Sequence, residues 1–243
     1  NGGVSLPRLR LERCTFDNGL WHIDAEEAHH LIRVRRCYTG SLVEGLLDGE
    51  KIELKLECRG DSVTAREISR VREDIGLPRV ELLLGLLKND QLDDALRFCA
   101  ETGVCAVHLL ICERSVPRYE GTKLADKMTR WRKILDEATK QAGAATPPVL
   151  HEPRPFAAMD FETLPPQRLA ALLAPDTKRL REIEIAPHLA VAIGPEGDWA
   201  PRESETLLAK GFVPVSLGRR IMRASTAVAA ACAATAILCR DTK

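Results

Sequence analysis

Two segments near the end of the chain constrain its fold most strongly. Ala190–Trp199 and Gly211–Ala227 each begin as a short apolar run and continue into a glycine-bearing loop, which predicts two buried strands. An amphipathic helix separates the two strands, and an alanine-rich helix follows the second. In open α/β sheets, ligands bind at the carboxyl ends of strands, where such loops meet. We therefore expect a ligand site formed by these two loops.

Residues 1–76 have the pattern of a β-rich domain. Apolar or alternating runs of strand length are separated by turn signals such as Asp48-Gly49. The runs are Trp21–Ile23, Ser41–Leu47, Lys51–Leu56 and Ser62–Ser69. One short helix, Ala25–Arg33, interrupts them. The pattern predicts a small β-barrel with one helix.

Residues 77–243 alternate between predicted strands and helices. The predicted strands are Val80–Leu86, Ala106–Ile111, Arg168–Ala174 and a strand running into Gly194. The predicted helices are Asp90–Thr102, Ala125–Ala142, a helix from Pro201 to Gly211, and a last helix capped by Ser225 or Thr226. Such alternation is typical of an α/β fold, a mostly parallel sheet with helices on both faces.

Composition gives weaker constraints. The 35 basic and 35 acidic residues cancel, which argues mildly against a nucleic-acid binder, because such proteins are more often basic. None of the eight Cys forms a C-x-x-C pair, so a zinc ribbon is not expected and the thiols indicate a reducing compartment. The run Ala227–Leu238 is shorter than the ~20 residues that cross a bilayer. We expect a cytoplasmic protein without a membrane partner, or an organelle-matrix protein if a transit peptide has been removed.

The first loop contains Gly194-Pro-Glu-Gly197 and lacks the spacing of either a P-loop or a dinucleotide fingerprint. A cofactor held by its phosphates is therefore not indicated. Glycines in such a loop let the backbone approach a ligand closely, as an adenine and a ribose would require. The same four residues also fit an ordinary turn between a strand and a helix.

The sequence contains three clusters of basic residues. The first lies in the second loop, with three Arg within Gly218–Arg223; the second is His29–Arg36; the third surrounds Trp131. The third cluster consists of Arg114, Arg118, Lys123, Lys127, Arg130, Arg132 and Lys133. Adjacent histidines do not share a helix face, so no metal site is expected at His29–His30. Arg-rich clusters suit contact with phosphates. The clusters in the second loop and around Trp131 also fit a solvated surface.

Taken together, the motifs resemble those of the RsmE family, AdoMet-dependent (uracil-N3)-methyltransferases of small-subunit ribosomal RNA within the SPOUT superfamily. The resemblance covers nearly the whole chain. The matching segments are Pro7-Arg8, His29–Arg36, Glu101–Val104, Glu113–Val116, Arg130-Trp131 with Ile134, Glu137-Ala138 with Gln141, Ile193–Gly197, Gly211-Phe212, Val215–Gly218, and Arg220-Ile221, Arg223 and Thr226-Ala227.

The resemblance implies a PUA-like RNA-binding β-barrel over residues 1–76. For residues 77–243 it implies a SPOUT methyltransferase domain with a C-terminal trefoil knot. It further implies a homodimer, a ribosomal RNA substrate in the small subunit, and S-adenosyl-L-methionine (AdoMet) as the cofactor, without a metal. The cofactor residues that it implies are Leu173, Gly194, Glu196, Gly197, Leu217, Gly218, Ile221, Met222, Thr226 and Ala227. Arg223 and Glu196 are the candidate catalytic residues, and Arg8, His30, Arg33, Arg35 and Arg36 are the candidate RNA-binding residues.

The chain departs from the family pattern at several positions. Asp198 stands where the family usually has a second glycine, Ser225 where it has Glu, and Met222 where it has Leu. Phe98 replaces a Lys, and an Arg expected shortly after Gln141 is missing. Asp198 and Ser225 leave open a catalytically impaired RNA-binding or ribosome-assembly dimer of the same fold. The zero net charge leaves open an unrelated small-molecule α/β enzyme.

Overall fold

The computed structural model describes residues 6–74, 76, 78–172 and 174–239. They divide into two compact units. The first unit holds the residues up to Asp74 together with Thr139–Thr146, and the second holds the remainder. Each unit has its own sheet.

The first unit is built on a six-stranded sheet in the order β1-β4-β5-β6-β3-β2. Its strands are β1 (Arg8–Arg10), β2 (Thr15–Asp17), β3 (Leu20–His22), β4 (Leu42–Leu47), β5 (Glu50–Arg59) and β6 (Ser62–Arg72). β1 pairs with β4 in parallel, and the other neighbours are antiparallel. The predicted strands of this unit are confirmed, whereas β1 and β2 have too few residues to produce a pattern.

Alternation along β5 explains which face of this sheet is buried. Ile52, Leu54 and Leu56 are fully buried, while Lys55 and Arg59 between and beyond them are exposed. Successive side chains of a strand point to opposite faces, so the apolar set forms the core and the charged set faces solvent.

A short helix, α1 (Ala25–His29), begins at Asp24 and continues into a π-helical turn, His30–Val34. The Asp24 carboxylate accepts hydrogen bonds from the backbone N–H groups of Glu26 at 2.8 Å and Glu27 at 3.3 Å. These are donors that a helix start would otherwise leave unpaired. The helix predicted at Ala25–Arg33 is thus confirmed in position, with its second half in π geometry.

The second unit contains a seven-stranded sheet in the order β11-β13-β10-β12-β7-β8-β9, and every neighbouring pair is parallel. Its strands are β7 (Arg79–Gly85), β8 (Val104–Ile111), β9 (Val149–Pro155), β10 (Gln167–Ala171), β11 (Lys178–Arg179), β12 (His188–Ile193) and β13 (Val213–Ser216). The α/β class with a parallel sheet is confirmed.

Among the described residues, three α-helices connect these strands, α2 (Asn89–Glu101), α3 (Gly121–Ala142) and α4 (Pro201–Ala209), and a fourth, α5 (Ala224–Leu238), follows β13. The two faces of the sheet carry separate cores. Leu82 and Leu84 of β7 belong to the core that contains Trp131, whereas Leu83 belongs to the core that contains Trp199. Trp131 is fully buried, so the third basic cluster surrounds a core residue. Among the described residues, no helix combines the length and apolarity that a membrane crossing needs.

The observed ends of α2, α4 and α5 can be compared with the predicted caps. Gly103 and Gly211 follow α2 and α4 at φ +77° and +79°, the left-handed conformation that a glycine after a helix adopts. The cap predicted for α5 is wrong. Arg223, in extended conformation, precedes its first residue, and no side chain caps it. Ser225 and Thr226 therefore lie inside the first turn, because the helix begins two residues earlier than a Ser225 cap requires and three earlier than a Thr226 cap requires.

Candidate functional site

The two glycine-bearing loops leave the same edge of the parallel sheet. β12 ends at Ile193, before the first loop (194–200), and β13 ends at Ser216, before the second loop (217–223). β10 lies between these two strands and is parallel to both. The loops are therefore one strand apart at the carboxyl edge, as the sequence predicts. Leu173, a predicted cofactor residue that follows β10, lies outside the described residues.

The first loop is a tight turn with a left-handed residue. The backbone N–H of Asp198 donates to the carbonyl of Pro195 at 2.9 Å. Asp198 has φ +62°, and its Oδ1 accepts a hydrogen bond from the backbone N–H of Trp199 at 2.8 Å. Asp is among the few non-glycine residues that adopt this conformation readily, because its short side chain bonds locally. The departure from glycine at this position thus preserves the loop conformation.

Neighbouring glycines allow the first loop to lie close to the sheet. A Cβ on Gly85, the last residue of β7, would lie 2.5 Å from the backbone N of Pro195. A Cβ on Gly197 would lie 2.9 Å from the Cβ of Arg114. Any side chain at these two positions would force the loop outward, so both glycines fix its path.

Glu196 holds the loop to a neighbouring helix. Its Oε1 accepts a hydrogen bond of 2.8 Å from the backbone N–H of Lys88, the residue before α2. No side chain of α2 caps this end, so the Glu196 carboxylate takes that role and is stabilised by the positive end of the helix dipole. The side chain predicted as a catalytic candidate is therefore engaged in a structural contact.

Two further residues brace the loop and were not recognised from the sequence. Arg114 donates from Nη1 to the carbonyls of Gly197 at 3.1 Å and Trp199 at 3.4 Å. The buried carboxylate of Glu203 accepts from the backbone N–H groups of Glu113 and Ala200, both at 2.9 Å. A buried carboxylate requires such donors, because desolvation without them is costly.

The second loop is more open than the first. Leu217 and Met222 pack partly against the core, and a Cβ on Gly218 would lie 3.6 Å from the Cε of Met222. Arg219, Arg220 and Arg223 are exposed, and Ile221 is 100% exposed. Within the described chain, the backbone N–H groups of residues 219–223 have no protein acceptor. The loop therefore presents free backbone donors and cationic side chains at the edge of the sheet. Of the remaining predicted cofactor residues, Thr226 is exposed and Ala227 is buried.

The helix beside the first loop carries a polar cluster. Asn89, the first residue of α2, accepts hydrogen bonds at its Oδ1 from the Tyr119 hydroxyl at 3.0 Å and from Lys127 Nζ at 2.8 Å. Arg130 forms an ion pair with the buried Asp93. Part of the third basic cluster is thus held in defined contacts around the start of α2 and is not a purely solvated face.

The predicted RNA-binding residues of the first unit have different environments. Arg33 is exposed, with Asp61 Oδ1 at 3.5 Å from its Nη2; Arg35 Nε donates to His30 Nε2 at 3.4 Å; and Arg36 is exposed at φ +56°. Arg8 differs, since its Nε pairs with Glu44 at 2.8 Å and its Nη1 donates to the Gln141 carbonyl at 3.1 Å. Of these residues, His30 and Arg35 are in contact, Arg33 lies beside Asp61, and Arg8 is engaged elsewhere in the unit.

A row of ionisable side chains crosses the opposite, amino half of the parallel sheet. The two carboxylate oxygens of Glu81 lie 3.0 Å from His108 Nε2 and 3.0 Å from His188 Nε2. The rings of His108 and His151 are stacked with centroids 4.3 Å apart. Burial lowers the pKa of His108 from its ordinary value, more than the Glu81 carboxylate raises it. This row is remote from both loops, at the other end of the strands.

The thiols provide no reactive group at the loops. Cys112 and Cys232 are buried, and burial raises the pKa of each to about 12, so both are protonated at neutral pH. Within residues 6–239 as described, no group of three or more His, Cys, Asp or Glu side chains is arranged to hold a metal ion.

Comparisons with known proteins identify the family. The RNA methyltransferase domain family matches residues 76–236. The chain is 33% identical over 212 residues to the ribosomal RNA small subunit methyltransferase E of Synechocystis sp., which covers 83% of this chain and 67% of that protein. A putative methyltransferase from Legionella pneumophila, solved in complex with its bound cofactor SAM, is 26% identical with a TM-score of 0.84 and covers 96% and 97% of the two chains.

A second solved structure shows the same fold at lower identity. The ribosomal RNA small subunit methyltransferase E of Neisseria gonorrhoeae is 24% identical, with a TM-score of 0.83 over 98% of this chain and 100% of that one. The resemblance stated from the motifs is thereby confirmed. The chain belongs to the ribosomal RNA small subunit methyltransferase E family.

Proposed function

We propose that the protein is an AdoMet-dependent methyltransferase that methylates N3 of a uridine in small-subunit ribosomal RNA. The observation that carries the proposal is the pair of loops one strand apart at the carboxyl edge of the parallel sheet. The two loops offer a glycine backbone that a ligand can approach closely, unpaired backbone N–H donors and arginine side chains. Ligands of open α/β sheets bind at this edge of the sheet.

The loops fit AdoMet better than a phosphate-bearing cofactor. Residues 219–223 offer backbone N–H groups, and the exposed Gly197 and Gly218 let a planar ring approach the backbone. Neither loop contains a P-loop lysine. The residues that would hold the cofactor are Gly194, Glu196, Gly197, Leu217, Gly218, Ile221, Met222, Thr226 and Ala227, together with Leu173. Bound AdoMet would supply an electrophilic methyl group on a sulfonium.

Arg223 is the side chain that we propose to act on the substrate. It is exposed at the end of the second loop, directly before α5, and no acidic partner contacts it in the described part of the chain. Loss of the N3 proton, which methylation at N3 requires, leaves a negative charge on the uracil until transfer of the methyl group neutralises it. A preorganised guanidinium would stabilise that transient anion. Glu196 is better suited to bracing than to proton removal, because Lys88 N–H already occupies its carboxylate.

The predicted N-terminal domain, residues 1–76, would bind RNA as a PUA-like domain. The proposed phosphate contacts are Arg33, Arg35 and Arg36, with His30 beside them. Arg8 is a weaker candidate for a phosphate contact than the motif suggested, because its guanidinium charge is paired with the Glu44 carboxylate. The target uridine must also be unstacked before any active site can reach its N3 atom.

Residues 77–243 would form the methyltransferase domain, with a C-terminal trefoil knot and a homodimer interface. The composition of α5 supports the interface. Its partly exposed side includes Ala229, Ala230, Ala233 and Ala234, whose small side chains permit close helix packing. Ile237 is 81% exposed and Ile221 is 100% exposed, and a partner protomer would cover these apolar side chains.

The test combines cofactor binding with product analysis. Calorimetry should detect AdoMet binding, and the protein should methylate small ribosomal subunits from a strain that lacks its own enzyme, yielding 3-methyluridine by mass spectrometry of the nucleosides. Retained RNA binding without AdoMet binding would instead identify an assembly protein of the same fold. A different methylated nucleoside would overturn the N3 assignment while leaving the methyltransferase intact.

A further inference from the structure

The first unit contains a depression that none of the proposed cofactor or RNA residues lines. It has a volume of about 400 Å³, within the range of about 300–1,000 Å³ of small-ligand sites. Its polar and backbone lining consists of Thr39, Gly40, Lys55, Glu57, Arg59 and Arg66. Three cations and one carboxylate give this surface a net positive charge, so it suits an anionic ligand.

Strand register explains why the cations gather there. Lys55 of β5 lies directly opposite Arg66 of β6, so both side chains leave the same face. Arg59 is four residues beyond Lys55 and therefore shares that face. All three are exposed, and none has an acidic partner among the described residues. Like charges opposite each other disfavour the folded sheet, which makes an anion at this position favourable.

A hydrogen-bonded turn that contains Thr39 and Gly40 forms another part of the lining. Tyr38 N–H donates to Ser41 Oγ and Ser41 N–H donates to the Tyr38 carbonyl, both at 2.9 Å. Within the turn, Thr39 Oγ1 accepts from Cys58 N–H at 2.9 Å and donates to the Cys58 carbonyl at 3.2 Å. Both hydrogen bonds tie the turn to β5.

An aromatic ring stands at the base of this turn. Tyr38 is 72% exposed. It is the most exposed Phe, Tyr or Trp side chain among the described residues. Its ring makes no contact with another ring in the part of the chain that the structure describes. Tyr38 directly precedes Thr39, which lines the depression together with the three cations. Exposed aromatic rings and cations are the groups that bind single-stranded nucleic acid, since bases stack on the ring while cations contact the phosphates.

We propose that this depression is a single-stranded RNA subsite, in which one unstacked base packs on Tyr38 and the adjoining phosphates contact Lys55, Arg59 and Arg66. The proposal rests on the proposed function in that the RNA would be the substrate. A duplex would not fit, because its bases are stacked on one another and their faces are not available to Tyr38. The subsite is distinct in its residues from the His30, Arg33, Arg35 and Arg36 cluster.

The test uses a labelled single-stranded RNA of ten nucleotides and the full chain. Tyr38→Ala should weaken binding about 5- to 100-fold, the range expected for loss of one stacked base, with no change in its salt dependence. Tyr38→Phe should bind like the wild type, because the ring is retained. Changing Lys55, Arg59 and Arg66 together to Ala should lower the log–log salt slope by about 2, at ~0.7 for each single-strand phosphate contact.

Two matched controls and one direct readout keep the proposal falsifiable. Phe16→Leu removes another exposed aromatic of the same unit, and Arg97→Ala removes an exposed cation of α2 that pairs with Asp94; neither should alter RNA binding. Irradiation of RNA that carries 5-iodouridine should cross-link the base to Tyr38, as located by peptide mass spectrometry. Unchanged binding by Tyr38→Ala, or a cross-link only at other residues, would overturn the subsite.

Failure of the subsite and failure of the proposed function give different results. If Tyr38→Ala binds RNA normally while the wild type methylates small subunits, the subsite is wrong and the enzyme assignment stands. If the wild type binds no AdoMet but cross-links through Tyr38, the enzyme assignment is wrong and the subsite stands.

Discussion

Glu196 and Lys88 are joined by a hydrogen bond of 2.8 Å from the backbone N–H of Lys88 to the Glu196 carboxylate. The bond links the first loop to the start of α2 across 108 positions of sequence. It gives a structural reason for the carboxylate in Gly194-Pro-Glu-Gly197, and it separates two roles that the sequence left open for Glu196, proton acceptor and brace.

The first prediction tests these two roles. Glu196→Gln keeps an acceptor oxygen for Lys88 N–H, so AdoMet affinity and kcat should stay within a few-fold of the wild type. Glu196→Ala removes the bond and should weaken AdoMet binding by about five-fold, equivalent to about 1 kcal/mol for one hydrogen bond. Calorimetry and single-turnover rates across pH provide the measurement. A large loss of kcat in Glu196→Gln, with AdoMet affinity intact, would make Glu196 the base.

A second prediction concerns Asp198, whose φ is +62°. Asp198→Gly should change stability by only a few tenths of a kcal/mol, since glycine adopts this conformation without strain. Asp198→Ala should cost about 1–2 kcal/mol, because Ala keeps a Cβ in the left-handed conformation but lacks the carboxylate that bonds Trp199 N–H. Urea denaturation measures both.

Activity distinguishes this account of Asp198 from a decayed site. Asp198→Gly should methylate small subunits at about the wild-type rate, because the loop conformation is the same in both. If glycine instead raised kcat by more than ten-fold, Asp198 would be an impairing substitution and the assembly-protein alternative would gain support.

The third prediction concerns pH and stability. Burial lowers the pKa of His108 below its ordinary value of 6.5, so the unfolded chain takes up a proton at higher pH than the folded chain. Stability should therefore be fully present above about pH 6.5 and decrease as the pH falls below it. The charged groups facing His108 are Glu81, His151 and Arg154, and burial also lowers the pKa of His151.

Urea denaturation between pH 7 and 5 tests this linkage. His108→Gln should show a smaller loss of stability over that interval than the wild type. His22→Gln, at an exposed position of β3, should follow the wild type. An identical pH dependence in His108→Gln and wild type would show that other groups cause the acid sensitivity.

A fourth prediction tests the cluster that follows α1. Changing Arg33, Arg35 and Arg36 together to Ala should reduce RNA affinity for every sequence and lower the log–log salt slope by about 2–3, at ~0.7–0.9 for each phosphate contact. Filter binding at several salt concentrations measures the slope, and AdoMet affinity should not change. Arg97→Ala is the control for loss of a cation. An unaltered slope in the triple variant would identify the cluster as a solvated surface.

The sequence predicted the central elements well, because local patterns determine them. The apolar runs of β7, β8 and β12 and the glycines after α2 and α4 produced signals that the structure confirms. β11 has only two residues and forms solely because β13 lies beside it, so no local pattern could reveal it. The start of α5 was misplaced because Ser and Thr are strong caps in general, whereas here the extended Arg223 precedes the helix.

Local sequence patterns could not identify the residues that brace the first loop, for a different reason. Arg114 contacts Gly197 across 83 positions, and Glu203 contacts Glu113 across 90. These side chains serve the loop only because parallel strands bring distant segments to one edge. Sequence patterns identified the loops that lie at this edge, but only the structure identifies the residues that hold them.

The last prediction concerns Arg223, exposed at the end of the second loop and without an acidic partner in the described chain. If its guanidinium stabilises negative charge on the uracil, Arg223→Ala should lower kcat by ~10²–10³, as loss of one preorganised electrostatic group does. Affinity for AdoMet and for RNA should fall far less, because the interaction is strongest in the transition state. Arg223→Lys should recover only part of the rate, since an ammonium lacks the planar fork of Arg. Single-turnover rates, calorimetry and sedimentation on the same variants provide the measurements. A variant with near-normal kcat at saturation, but with weakened AdoMet binding or dissociation to monomers, would show that Arg223 supports the loop or the dimer and not the chemistry.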